Sequence, residues 1–121
     1  MLHHATHELS PAQLEQCISF YEALGFRQVP VPEGIGDRAV WLQSGPTQVH
    51  LMPQAEPSPA ARAGHIAVVV DDYERAVERL RARGHEVEPR RPHWGAPRSY
   101  VHDPAGHLVE LMAWPPGALG E

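Results

Sequence analysis

GHIAVVVDD, Gly64–Asp72, and DPAGHLVEL, Asp103–Leu111, are two similar stretches from which the fold of this chain can be predicted. Each contains a short apolar run bounded by turn-forming residues, which is typical of a buried strand. Each run also carries one ionisable side chain, His65 in the first and Glu110 in the second. The two stretches therefore predict two strands that each present a metal-ligating type of residue among apolar neighbours.

Both strands have counterparts half a chain earlier. The segment LHHAT corresponds to GHIAV, so that His4 matches His65. The segment QVHLM corresponds to LVELM, so that His50 matches Glu110. Such self-similarity indicates an architecture made of repeated units.

Each half reads as β-α-β-β-β, because helical spacing follows the first strand and three short strand patterns follow the helix. We predict helices from Ser10 to Gly25 and from Asp71 to Arg83. We predict strands at 2–9, 26–31, 37–44, 47–52, 64–70, 85–89, 98–102 and 107–113. The fold class is α+β: two βαβββ modules, about 1–52 and 63–114 with a linker at 53–62, form one domain. Their curved mixed sheets form an open barrel around a central cavity.

Composition excludes several classes of protein. The net charge is −5 with no lysine, and no basic stripe appears, so we expect no nucleic-acid partner. The longest apolar run, Ile66–Val70, is too short to span a membrane, and the first residues do not resemble a signal peptide. The single cysteine, Cys17, fits a cytoplasmic location, and we expect it to be a small buried helix residue rather than a nucleophile.

The four repeat-equivalent residues suit one divalent transition metal per site. A carboxylate at Glu110 is costly among apolar neighbours unless its charge is compensated, and a cation would do so. Three imidazoles and one carboxylate favour Zn, Ni, Fe, Co or Mn. The predicted ligands are His4, His50, His65 and Glu110, with His3 as a rival if the first strand is read one residue out of register. The remaining histidines outside this strand, His85, His93, His102 and His107, are predicted to lie on the surface.

Strand alternation also predicts a substrate pocket. Arg98 and Tyr100 share a face and would bind an anionic group, although a solvated Arg98 stays open. Trp41 and Arg38 lie on the matching strand of the first half, where core packing is the alternative for Trp41. Thr6 shares the face of His4. The predicted substrate-binding residues are Arg98, Tyr100, Trp41 and Thr6.

The chain resembles the vicinal oxygen chelate superfamily, which includes glyoxalase I, fosfomycin-resistance enzymes, extradiol dioxygenases and bleomycin-resistance proteins. The likeness rests on FYEALGF (Phe20–Phe26), GHIAVVVDD and DPAGHLVEL. Carrying over the metal pattern of glyoxalase I gives the same four ligand positions, with His50 where the bacterial enzyme has a glutamate. The pattern of fosfomycin-modifying enzymes and extradiol dioxygenases instead takes His4, His65 and Glu110, with His50 as an extra nearby group. Glu8 stands where that enzyme has an arginine for glutathione. The resemblance therefore implies the fold and the site rather than a glutathione-dependent glyoxalase.

Two functions remain open. The first is a metal-dependent lyase, isomerase or dioxygenase that chelates a small oxygenated substrate, with Glu110 and His50 as the catalytic proton-transfer groups. The second is a metal-free protein that sequesters a drug or another small molecule, of the bleomycin-resistance type. In either case the family implies a homodimer, in which we expect His4 and His50 of one chain to meet His65 and Glu110 of the other.

Overall fold

The computed structural model describes residues 1–35 and 38–117. Within these residues, each half contains four strands and one α-helix, and they follow one another in the same order in both halves. No helix of the described residues is both long enough and apolar enough to cross a membrane. The elements are β1 (His4–Leu9), α1 (Leu14–Ala23), β2 (Arg27–Val29), β3 (Val40–Ser44), β4 (Thr47–Pro53), β5 (His65–Val69), α2 (Tyr73–Ala82), β6 (Glu88–Arg90), β7 (Arg98–His102) and β8 (Leu108–Met112).

The strands form two four-stranded mixed sheets with the same topology. The first sheet has the order β1-β4-β3-β2 and the second the order β5-β8-β7-β6. The first strand of each half pairs in parallel with the last, and all other pairs are antiparallel. Neither sheet closes on itself, and the predicted α+β fold of two βαβββ modules is confirmed.

One hydrophobic core serves both halves. Its buried residues come from both helices and from the apolar positions of both sheets, including Val49 and Leu51 on β4 and Val109 and Leu111 on β8. Because side chains alternate along a strand, His50 and Glu110 point to the sheet faces opposite the core. The topology thus directs every predicted metal ligand of β4 and β8 away from the helices.

Cys17 lies in this core, as expected. Its side chain is fully buried on α1. Burial, and then the negative charge of Asp103, raise the pKa of the thiol to about 12. A thiol this far from ionisation is a packing residue rather than a nucleophile.

The ends of several elements differ from the predicted bounds. The strand expected at 37–44 begins at Val40, and Asp37 lies outside the described residues. The strand expected at 85–89 is Glu88–Arg90 instead, because the backbone N–H of His85 still donates to Leu80 at the end of α2 (3.0 Å). β1 begins at His4 rather than Leu2, although the carbonyl of His3 still accepts from the N–H of Gln48 (2.8 Å).

Candidate functional site: two half-sites on two sheets

The predicted ligands occupy equivalent places in the two sheets. His50 on β4 lies opposite Thr6 of β1 and Trp41 of β3. Glu110 on β8 lies opposite Ala67 of β5 and Tyr100 of β7. His4 and His65 are the first residues of β1 and β5. Each sheet therefore carries one pair of ligand candidates.

The pair on the second sheet has the geometry of a metal half-site. The Nε2 atom of His65 lies 3.1 Å from Oε1 of Glu110. The Nδ1 atom of His65 lies 2.8 Å from the backbone carbonyl of Ala63, which can only accept, so that Nδ1 donates to it. Nε2 faces a second acceptor, the carboxylate of Glu110, and an ion bound between the two would take the place of the proton that they share. Metal-bound histidines characteristically donate their other N–H to such a carbonyl. Bonds of about 2.1 Å would place two ligands about 3.0–3.4 Å apart, which agrees with the observed separation.

Arg98 also contacts this half-site. One of its terminal nitrogens lies 3.2 Å from Oε2 of Glu110, and both side chains are about nine-tenths buried. Its Nε donates to the carbonyl of Arg91 (2.8 Å). The charge of Glu110 is thus compensated within the chain by Arg98, an ion pair that the sequence did not predict. The guanidinium retains N–H groups for a further acceptor, because these two bonds use only two of its five.

Tyr100 lies beside the same pair. Its ring centroid is 5.3 Å from that of His65, and the guanidinium carbons of Arg90 and Arg98 lie 4.9 and 5.6 Å from the centre of its ring. The predicted common face of Arg98 and Tyr100 therefore borders Glu110. The cations stack with the aromatic ring, which is a favourable electrostatic contact.

The pair on the first sheet is arranged differently. The imidazole of His50 is sandwiched between His4 (ring centroids 4.0 Å apart) and Trp41 (4.1 Å). Burial, and then the neighbouring charges of His4 and His3, lower the pKa of His50 to about 4, so the ring is neutral at neutral pH. Its Nε2 lies 2.7 Å from Oε1 of Gln48. An ion binds in the plane of each imidazole, so the exposed His4 must leave this stack before both rings can ligate one ion.

The two pairs do not meet within one chain. Among the described residues, no three of the four predicted ligands have donor atoms within 4.8 Å of one another. His3 lies next to His4, with their Nδ1 atoms 3.0 Å apart, and its ring is 6.4 Å from that of His50. Thr6, the other predicted pocket residue, lines a cavity of about 310 Å³ between β1 and β5 that also borders His65.

A different group of possible ligands does come together, and the sequence did not predict it. Donor atoms of His7, Asp103 and His107 all lie within 4.8 Å of one another. His93 and His102 are exposed as predicted, whereas His107 and His85 are partly buried. The signal available in the sequence was the position of His7 on the opposite face of β1 from His4, together with a histidine directly after the Asp-Pro-Ala-Gly turn.

The fold and these side chains together define a class of protein with paired βαβββ modules that carry His and carboxylate side chains on open sheets. The sequence model of the Glyoxalase/Bleomycin resistance protein/Dioxygenase superfamily matches residues 2–111 of the chain. The chain belongs to this superfamily.

Solved structures show the same fold. A glyoxalase family protein from Bacillus anthracis is 27% identical, with a TM-score of 0.81 and 93% of each chain covered. The fosfomycin resistance protein FosX from Mesorhizobium loti is 24% identical with a TM-score of 0.70, and the match covers 98% of this chain and 92% of that one. Lactoylglutathione lyase from Agrobacterium tumefaciens is 22% identical with a TM-score of 0.68, over 93% and 92% of the two chains. No curated protein matches the chain.

Proposed function

We propose that this protein is a metal-dependent enzyme that acts on a small oxygenated substrate. The observation that supports this most strongly is the His65–Glu110 pair, in which Nε2 of an imidazole oriented by a backbone carbonyl lies 3.1 Å from a carboxylate oxygen. Zn, Ni, Fe, Co and Mn all suit such donors, and the identity of the metal stays open. His65 and Glu110 would hold the ion together with His4 and His50.

The bound ion would supply Lewis acidity to two neighbouring oxygens of the substrate. Glu110 and His50 would be the groups that move a proton; in Glu110, Oε1 lies beside His65, and Oε2 is the oxygen left for this role. Arg98 holds that second oxygen in place and keeps N–H donors for an anionic substrate group. Tyr100 and Trp41 provide aromatic surfaces beside the two half-sites, and Thr6 a hydroxyl. A lyase, an isomerase and a dioxygenase are all compatible with these groups.

We further propose that the active form is a homodimer whose sites combine both half-sites. Within one chain the pairs stay apart. Apolar side chains are also left uncovered: Val69, on the same face of β5 as His65, is 47% exposed, and Trp114 is 51% exposed. A second copy that supplied the other half-site would cover Val69 while completing the ligand set.

One observation favours the alternative, a metal-free protein that sequesters a small molecule. Arg98 already balances the charge of Glu110, so that the buried carboxylate does not by itself require a cation. The metal content of a Glu110 variant separates the two functions.

We predict that Glu110→Gln removes one equivalent of bound metal per chain. The amide keeps the size of the side chain but loses the anionic oxygen next to His65. Glu88→Gln is the matched control, since Glu88 is an exposed carboxylate of the same sheet that contacts Arg90. Equilibrium dialysis against Zn²⁺ and Ni²⁺ with elemental analysis measures the loss. Equal metal content in wild type and Glu110→Gln would favour the metal-free alternative.

A further inference from the structure

A cluster at the junction of the two halves is separate in its ligands from the proposed active site. His7 comes from β1 in the first half, and Asp103 and His107 come from the turn between β7 and β8 in the second. The rings of His7 and His107 stack, with centroids 4.3 Å apart. The side chain of Asp103 is fully buried, and one of its oxygens, Oδ2, lies 3.8 Å from Nδ1 of His7.

Asp103 has one coordination position left. An ionised carboxylate offers about four lone-pair positions. Oδ1 accepts from the backbone N–H groups of Ala105 and His107, both at 2.9 Å. Oδ2 accepts from the hydroxyl of Tyr21 at 2.7 Å. These donors fix the orientation of the carboxylate and keep it charged, with a second lone pair of Oδ2 on the side of the histidines.

A backbone carbonyl orients His107, as another orients His65. Its Nε2 lies 2.7 Å from the carbonyl of Glu8 and donates to it, which leaves Nδ1 as the nitrogen for an ion. This is the arrangement in which a carbonyl orients a metal-binding imidazole. The Nδ1 atom of His7 lies 3.1 Å from the hydroxyl oxygen of Tyr21, and an ion bound there would replace the proton that this nitrogen shares with that oxygen.

The cluster is also accessible. His7 and His107 line the cavity of about 310 Å³ between the halves, together with Glu8 and the linker residues around Ser58. A cavity of this size with histidine, serine and glutamate side chains in its lining admits an ion and holds water, which can complete a coordination shell.

We propose that His7, Asp103 and His107 bind a second divalent transition-metal ion, which links the first half of the chain to the second. Two imidazoles and a carboxylate suit zinc, with water as the fourth ligand. Tetrahedral bonds of about 2.0–2.1 Å would draw the donors to about 3.4 Å from one another, compared with the observed 3.8 Å between His7 and Asp103. Because an ion binds in the plane of each imidazole, one of the two stacked rings, His7 or His107, would turn out of the stack when the ion binds. This site goes beyond the proposed function and does not depend on it.

Zinc titration of the full chain tests the proposal, with His65→Ala/Glu110→Ala as the background that lacks the first site. We expect this double variant to retain one zinc per chain by equilibrium dialysis, and to gain thermal stability with zinc because only the folded chain brings the three ligands together. Adding His107→Gln should abolish both effects. That substitution keeps the backbone N–H bond to Asp103, so the turn is preserved.

His7→Gln provides a second, independent variant, and His102→Gln an exposed control on the neighbouring strand. Circular dichroism without zinc verifies that each variant is folded. Failure of the double variant to bind zinc would overturn the second site, whatever the wild type binds. Retention of zinc after both His107→Gln and His7→Gln would also overturn it. A wild type whose only bound zinc is lost with Glu110→Gln would refute this site and leave the proposed function intact.

Discussion

At the scale of single residues, Tyr21 connects the two halves of the chain. Its ring is fully buried in the common core, and its hydroxyl donates to Asp103 of the second half while lying 3.1 Å from His7 of the first. Burial, and then the charge of Asp103, raise the pKa of the phenol well above its usual range. Tyr21 therefore stays protonated and remains a donor to a fully buried carboxylate.

We predict that Tyr21→Phe lowers the free energy of unfolding by about 1–3 kcal/mol, because Asp103 loses one of its hydrogen bonds in a buried place. Tyr100→Phe is the matched control. Among the described residues the tyrosine hydroxyls that form hydrogen bonds are those of Tyr21 and Tyr73. Loss of the Tyr100 hydroxyl should therefore change stability by less than about 0.5 kcal/mol. Urea unfolding in the presence of a chelator measures both variants without a metal contribution, and equal stabilities would contradict this role of Tyr21.

Some contacts of single residues could be predicted from the sequence, and others could not. His65 and Glu110 were predictable as neighbours, because strand alternation and the repeat place both on one face of adjacent strands. The ion pair between Glu110 and Arg98 was beyond the reach of the sequence, since it depends on the register of β7 against β8 and on a side-chain conformation. The cluster of His7, Asp103 and His107 was missed because it joins residues far apart in the sequence, and no helix or strand periodicity connects His7 with His107.

At the scale of elements, the beginning of α2 is held in an unusual conformation. Asp72 precedes the helix with φ 48° and ψ 67°, in the left-handed region, and its carboxylate accepts from the N–H of Arg75 at 3.4 Å. An L-residue in this region carries a steric cost of about 1–2 kcal/mol that glycine avoids. The capping bond offsets part of this cost.

We predict the stability order Asp72→Gly at or above wild type, and Asp72→Ala below it by about 1 kcal/mol. Glycine relieves the backbone strain and loses only a few tenths of a kcal/mol as a cap, whereas alanine keeps the strain and loses the cap. Asp71→Ala is the control, since Asp71 is exposed and lies outside the helix. Thermal unfolding followed at 222 nm provides the measurement. Alanine at least as stable as glycine at position 72 would show that the strain has no energetic weight.

The ends of a helix could be predicted from the sequence where capping and turn residues mark them. Ser10, Pro11 and Gln13 indicated the first helix, and the structure shows Gln13 accepting from the N–H of Ser10 at 3.1 Å before a short 3-10 turn leads into α1. Gly25, with φ 99°, ends that helical region as expected. The bounds of β2 and β6 were harder to predict from the sequence, because these strands are three residues long and their extent depends on pairing with β3 and β7.

At the scale of the whole molecule, the helices of both halves share a core, while the sheet faces that carry the ligands lie opposite it. Arg79 and Arg83 of the second helical region donate to the carbonyls of Ala23 and Ser19 in the first, at 3.0 and 2.8 Å. These bonds fix the halves to each other through their helices. In the proposed dimer, a second copy of the chain provides the sheet that each proposed ligand pair faces.

We predict that mixing two defective proteins restores metal binding at the His65–Glu110 site. In a dimer with shared sites, His4→Ala protein retains an intact His65–Glu110 pair and Glu110→Ala protein retains an intact His4–His50 pair. A mixed dimer then contains one complete site, made of the two intact pairs. Its other site lacks both mutated ligands, because it combines the altered pair of each chain. Co-refolding in the His107→Gln background, which removes the proposed junction site, should return metal equal to half of the wild-type sites in each mixed dimer. Elemental analysis after size-exclusion chromatography measures it, and each parent refolded alone is the control. If subunits exchange and no metal returns, each site lies within a single chain and the shared-site dimer is wrong.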